Sequence, residues 1–173
     1  LIEREKVTFS HCVPTTMRMI LSHPQSRSVN LKGWKALVGG ATMPQSLARE
    51  AVERGVDVFS AYGLSETCPF LTLARPPRDI GDIEIERQAE IRCRVGKSVN
   101  LVDLGLVDSA MNFLPHDGVS QGEIVVRAPW LTQGYLQDPE GSEKLWHGGW
   151  LHTGDIGVVD EDGLVTITDR LKD

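Results

Sequence analysis

Val56-Asp57-Val58-Phe59-Ser60-Ala61-Tyr62-Gly63-Leu64-Ser65-Glu66-Thr67 passes from an apolar run into a cluster of polar side chains. The apolar run Val56–Ser60 reads as a strand. Just past it stand an aromatic ring, a glycine, a hydroxyl and a carboxylate. A ring can cover a flat base, and a glycine lets backbone come close to a ligand. A hydroxyl can donate to a phosphate oxygen, and a carboxylate can hold a hard cation such as Mg²⁺. Open α/β sheets collect ligands at the carboxyl ends of their strands, which is where this stretch falls. The residues alone leave a plainer reading open, with Ser65 capping a helix whose first turn holds Glu66 and Thr67.

Upstream, residues 6–13 are rich in β-formers and predict a strand. Pro14 opens a helix at its favoured first position, with Met17, Ile20 and Leu21 at helical spacing and Pro24 as the stop. Met17 and Met19 read as core filler. Residues 34–38 predict a second strand, running into Gly39-Gly40-Ala41-Thr42-Met43-Pro44. Thr42 or Pro44 opens a helix through Arg54, with Leu47, Ala48, Ala51 and Val52 on one face and Gly55 closing it. Strand–helix–strand–helix–strand predicts a parallel sheet.

Downstream the pattern changes. Residues 75–92 carry Pro76, Pro77 and many charges, and read as a surface loop with one helical turn near 84–94. Short strands follow at 101–107, 123–127, 156–159 and 164–168. Asp160-Glu161-Asp162-Gly163 joins the last two as a hairpin turn, and a short helix is expected over 139–146. Many short strands joined by turns predict a small barrel or sandwich beside the α/β part. The expected fold class is therefore α/β: a partial parallel α/β sheet over 1–85, then a small distorted β-barrel over 86–169.

Composition narrows the function. The 173 residues carry a formal net charge of −6, which argues against a nucleic-acid or anionic-membrane surface. No apolar run approaches membrane-spanning length. The opening residues are charged and resemble no signal peptide. Cys12, Cys68 and Cys93 are odd in number and widely spaced, so neither a disulfide framework nor a zinc site is expected, and a reduced, cytoplasmic home is the default. The chain opens without Met and ends on Arg170-Leu171-Lys172-Asp173 without a helix stop, and reads as a piece of a longer protein. A truncated sheet has an exposed edge, which leaves self-association of such a piece open.

Gly96-Lys97-Ser98 resembles the end of a phosphate loop, but the required earlier glycine is Ile91. The five histidines lack metal-ligand spacing, although His11 shares a strand face with Val7 and Phe9 and could line a pocket. Ser65 lacks the flanking glycines of a hydrolase nucleophile elbow. Trp150-Leu151-His152-Thr153-Gly154-Asp155-Ile156-Gly157 is more informative. A carboxylate after a glycine turn can accept hydrogen bonds from two vicinal hydroxyls, as an acid does on a ribose. It can equally bond its own backbone in a turn.

Four segments, in order, resemble the adenylate-forming superfamily of acyl-CoA synthetases, luciferases and peptide-synthetase adenylation domains. They are Gly39-Gly40-Ala41; Tyr62-Gly63-Leu64-Ser65-Glu66; Gly122-Glu123-Ile124 through Gly134-Tyr135 to Asp138-Pro139-Glu140; and Thr153-Gly154-Asp155 with Arg170-Leu171-Lys172. The texture is most like medium-chain fatty acyl-CoA synthetases. The resemblance makes 1–85 the second half of the acyl- and AMP-binding subdomain and 170–173 the start of a hinge to a further C-terminal domain. It implies that Tyr62 packs on adenine and that Gly39, Gly40, Ala41 and Gly63 line the adenine and acyl sites. Ser65, where the family more often has Thr, would bond the α-phosphate, and Glu66 would hold Mg²⁺. Asp155 would take the ribose hydroxyls, Arg170 would reach the ribose or phosphate, and Lys172 would sit at the hinge. Ser65, Glu66 and Arg170 are thus the expected catalytic residues. The implied reaction activates a fatty or other carboxylic acid with ATP as acyl-AMP and passes it to coenzyme A. A non-catalytic adenylate-binding module, or an adenylating enzyme with a carrier protein or other acceptor, is the alternative. The family's phosphate-gripping loop and its catalytic lysine are not in this sequence, so the piece alone is expected to be inactive.

Overall fold

The computed structural model describes residues 2–171. The chain divides into two compact units, Leu1–Ala61 with Ala74–Arg94, and Tyr62–Leu73 with Val95–Asp173. This differs from the division of the sequence at residue 85: 62–73 go with the second unit and 86–94 with the first.

In the first unit, β1 (Phe9–Cys12), β2 (Lys35–Val38) and β3 (Asp57–Tyr62) pair in parallel in that order. β3 runs two residues beyond the expected strand, so Ala61 and Tyr62 lie inside it. β1 is shorter than expected because residues 2–6 form turns and Lys6 has φ +51°. Helix α1 (Pro14–Ser22) has its proline at the first position, and α2 (Gln45–Glu53) follows Pro44. The helices bury Met17, Leu21, Leu47, Ala48 and Ala51 with Trp34, Ala36, Val38 and Val58 from the strands and the turn before β2.

The loop with one helical turn near 84–94 is corrected in extent: the turn is a full helix. Ile85–Cys93 forms a third helix, α3, which packs against α2 and places Ala89 in the same core. Its charges are partnered. The Arg92 guanidinium turns inward, donating to Asp57 Oδ1 at 2.6 Å and to the Val58 carbonyl at 2.7 Å. Glu90 meets both Arg87 and Arg94, and hydrogen bonds from those guanidinium groups hold its carboxyl below the usual range. High charge here marks a helix laced with i, i+3 and i, i+4 pairs.

The second unit is antiparallel. Its strands are β4 (Thr72–Leu73), β5 (Gly96–Ser98), β6 (Asp103–Val107), β7 (Gly122–Arg127), β8 (Trp146–His147), β9 (Trp150–Val159) and β10 (Leu164–Arg170), in the order β4-β5-β10-β9-β7-β6, with β8 turning back on β9. Gly96-Lys97-Ser98 is a strand, consistent with its rejection as a phosphate loop. β9 is far longer than the four residues expected, because the polar segment before Ile156 belongs to it. Its inward residues, with Leu71, Leu106, Ile124, Val126 and Val165, form the core. Asp160 closes the expected hairpin by accepting the Leu164 N–H at 2.7 Å. Helix α4 (Pro139–Leu145) is capped by Asp138 Oδ1, which accepts the Gly141 N–H at 2.9 Å. Cys12, Cys68 and Cys93 are free thiols. Among the described residues no helix is long and apolar enough to cross a membrane.

Candidate functional site

The site in the second unit is built on a bulge in β9. Glu123 of β7 pairs with Ile156 and Val125 with His152, so Thr153, Gly154 and Asp155 all stand opposite Ile124. Extra residues on one strand break the ladder and re-aim a side chain, and they leave backbone groups to be satisfied otherwise. Side chains do this here. Thr153 Oγ1 donates to the Ile124 carbonyl at 2.7 Å and accepts the Asp155 N–H at 3.1 Å. Glu123 Oε1 accepts the Gly154 N–H at 3.0 Å. Gly154, at φ +70°, takes the left-handed turn that the bulge needs.

The bulge delivers Asp155 to Tyr62. The Tyr62 hydroxyl donates to Asp155 Oδ2 at 2.6 Å. Asp155 is buried, at 7% exposure, so this charge-assisted bond offsets much of the cost of taking a carboxylate from water. Burial first, then the bond to Asp155, pushes the Tyr62 phenol far above its ordinary range and keeps it a proton donor. Arg170 pairs with Asp155 across β10 and β9, its Nε 3.7 Å from Oδ1, with its side chain largely in solvent.

The turn after Tyr62 carries Ser65 and Glu66. Residues Ser65–Thr67 make a 3₁₀ turn and no α-helix, so the helix-cap reading of Ser65 is replaced. The buried Thr67 hydroxyl organises the turn, accepting the Leu64 N–H at 2.8 Å and approaching the carbonyls of Leu64 and Pro69 at 3.0 and 2.9 Å. Ser65 is left exposed and Glu66 half-buried. Gly63 is required by packing: a Cβ there would lie 1.6 Å from the Pro69 carbonyl oxygen. Glu66 is held twice by the segment before α4. Its carbonyl accepts the Thr132 N–H at 2.9 Å, and Oε1 accepts the Tyr135 hydroxyl at 2.8 Å. The bond to Glu66 raises the Tyr135 phenol.

Tyr62, Gly63, Ser65, Glu66, Asp155 and Arg170 therefore share one unit. Gly39, Gly40 and Ala41 belong to the other, at the carboxyl end of β2. The Gly39 N–H bonds the Cys12 carbonyl at 3.1 Å, and a Cβ on Gly39 would stand 3.2 Å from the Ala61 carbonyl oxygen. Gly40 has φ +79°, and His11 is exposed on β1. Lys172 lies outside the described residues. Tyr62 and Asp155, expected in separate ligand roles, bond each other. Glu123, Tyr135 and His152, for which the sequence carries no role, hold the bulge and Glu66.

Among the described residues no group of three His, Cys, Asp or Glu side chains could hold a metal ion. Mg²⁺ commonly keeps several waters and takes one or two carboxylates together with substrate phosphates. Glu66, half-buried and with one oxygen free of the Tyr135 bond, fits an ion that arrives with a polyphosphate. The Asp155 carboxylate keeps acceptor capacity beyond its bond to Tyr62, since two oxygens offer about four lone-pair sites. That capacity suits a vicinal diol.

Comparison with known proteins bears on what is bound. The family model described as AMP-binding enzyme matches residues 1–136. The 3-methylmercaptopropionyl-CoA ligase of Ruegeria pomeroyi is 36% identical over all of this chain and 32% of its own length. The long-chain-fatty-acid–CoA ligase of Thermus thermophilus is 35% identical over the same shares. The amide bond synthetase McbA of Marinactinospora thermotolerans superposes with a TM-score of 0.81 at 32% identity, covering 99% of this chain and 33% of that one. The chain thus spans about a third of the length of the relatives it matches.

Proposed function

The chain belongs to the AMP-binding enzyme family, and from that premise we propose that the protein carrying it is an ATP-dependent acid–thiol ligase. It activates a carboxylic acid, a medium-chain fatty acid by the texture of the sequence, as acyl-AMP and transfers the acyl group to coenzyme A. One observation carries the reading: the bond from Tyr62 to Asp155 joins the two motifs that most suggest a nucleotide, 93 positions apart.

In this reading the Asp155 carboxylate accepts the ribose hydroxyls. The Tyr62 ring, fixed by its hydroxyl, offers its face to the base. Ser65 and Arg170 contact the phosphates or ribose. Attack of the substrate carboxylate on the α-phosphorus brings anions together, so positioning and charge neutralisation dominate over covalent help from the protein. Mg²⁺, held by Glu66 with the phosphates, would supply part of that neutralisation. These roles are supported by the residue chemistry and by the matches to CoA ligases.

The test is acid-dependent pyrophosphate release by the full-length protein, followed by acyl transfer to coenzyme A. Release with a panel of acids and a thioester product support the ligase. The similarity to an amide bond synthetase makes amine acceptors the second reading, and amide formation without thioester would favour it. The 173-residue chain by itself should release no measurable pyrophosphate.

A further inference from the structure

The bulge that presents Asp155 does not hold itself. Its central N–H, on Gly154, has no partner in the β7–β9 ladder and is met by Glu123 Oε1 at 3.0 Å. The other oxygen, Oε2, lies 2.8 Å from His152 Nδ1. Both side chains are largely buried, with 15% of His152 and 16% of Glu123 exposed. Against a carboxylate, Nδ1 carries the proton and donates. The imidazole Nε2 is then a bare acceptor, consistent with its burial without a hydrogen-bond partner. Glu123 is thereby fixed at both ends, by the ring before the bulge and by the backbone at its turn.

We propose that Glu123, oriented by His152, is a positioning residue that sets the Thr153-Gly154-Asp155 bulge so that the Asp155 carboxylate meets the nucleotide's vicinal hydroxyls. The inference rests on the assignment of Asp155 to the ribose. Three contacts act together on the bulge. Thr153 closes it on the Ile124 carbonyl, Glu123 ties down Gly154, and the Leu171 N–H donates to the Gly154 carbonyl at 2.7 Å from the other side. Removing Glu123 leaves a part-buried N–H unpaired and frees the turn one residue from the carboxylate that must be aimed. A misplacement of about 1 Å, set by a change remote from the ligand, is enough to spoil a hydrogen bond to it.

The test compares binding of ATP and 2′,3′-dideoxy-ATP to the full-length protein, because the ratio of the two affinities reads the diol contact alone. A variant that is merely less stable weakens both and keeps the ratio. Glu123→Ala should lower the ratio about tenfold, the scale of one lost charge-assisted bond. Glu123→Gln should restore it in part, since the amide oxygen still accepts from Gly154, while its NH₂ meets His152 Nδ1 only if the ring proton moves to the buried Nε2. His152→Phe, which keeps the ring and loses the donor, should lower it severalfold and decides the matter if Glu123→Ala does not fold. A ratio unchanged in Glu123→Ala, or in His152→Phe where only that variant folds, would overturn the proposal. Asp155→Ala separates the two levels. If it leaves the ratio intact, the ribose assignment itself fails; if it abolishes the ratio while the Glu123 and His152 variants keep it, only the positioning role fails.

Discussion

The Tyr62 hydroxyl donates to the Asp155 carboxylate at 2.6 Å, at the end of β3 on one side and on the β9 bulge on the other. A buried carboxylate is stable only where donors meet it. Tyr62 therefore serves the folded state of the second unit as well as any ligand. Tyr62→Phe keeps the ring and removes the donor. It should lower stability by about 1–3 kcal/mol, read as a lower denaturant midpoint with an unchanged slope, and it should weaken ATP binding in the same variant.

Both tyrosines of the chain have phenols raised above 10.0, Tyr62 chiefly by burial and Tyr135 chiefly by its bond to Glu66. A phenol with a higher pKa folded than unfolded contributes stability that is complete below the unfolded value. That contribution falls as pH rises through the folded value. The phenolate transition of the folded chain should therefore have its midpoint above the ordinary phenol value. A phenolate signal with a midpoint at the ordinary value, in folded protein, would place at least one hydroxyl in free solvent.

Glu66→Ala removes the carboxylate proposed to share a cation with the phosphates. Adenylate formation in the full-length protein should drop by roughly 100- to 1,000-fold, the range seen for one preorganised electrostatic partner. Tyr135→Phe leaves the charge and loosens its hold, so a smaller drop is expected. Unchanged pyrophosphate release in Glu66→Ala would take Glu66 out of the site.

Gly63→Ala should be the most damaging of the glycine substitutions, since its Cβ would fall on the Pro69 carbonyl and rigid backbone cannot yield at that distance. Gly39→Ala meets the Ala61 carbonyl at 3.2 Å and should cost far less. Thermal midpoints of the two variants give the order directly, and Gly39→Ala as the worse of the two would contradict it.

The elements legible in the sequence are those whose local signals agree with the fold. Pro14, Pro44 and Asp138-Pro139 mark helix starts, and Asp160–Gly163 marks a hairpin. Of the helix over 85–93 only one turn is legible, because its signature is a set of ion pairs and one inward arginine whose partner, Asp57, lies on a distant strand. The length of β9 was hidden by the same polar residues that make it useful. His152, Thr153 and Asp155 read as a turn, and a strand containing a bulge does interrupt its alternation. Motif residues could be named from sequence. Which of them bond each other, as Tyr62 does Asp155 and Tyr135 does Glu66, depends on register that no local signal carries.

The most direct measurement is a crystal structure of the full-length protein with bound AMP. The ribose 2′- and 3′-hydroxyls should lie about 3 Å from the Asp155 carboxylate oxygens, with the Tyr62 hydroxyl still on Oδ2 and its ring against the base. AMP bound elsewhere, or a ribose turned away from Asp155, would contradict the assignment.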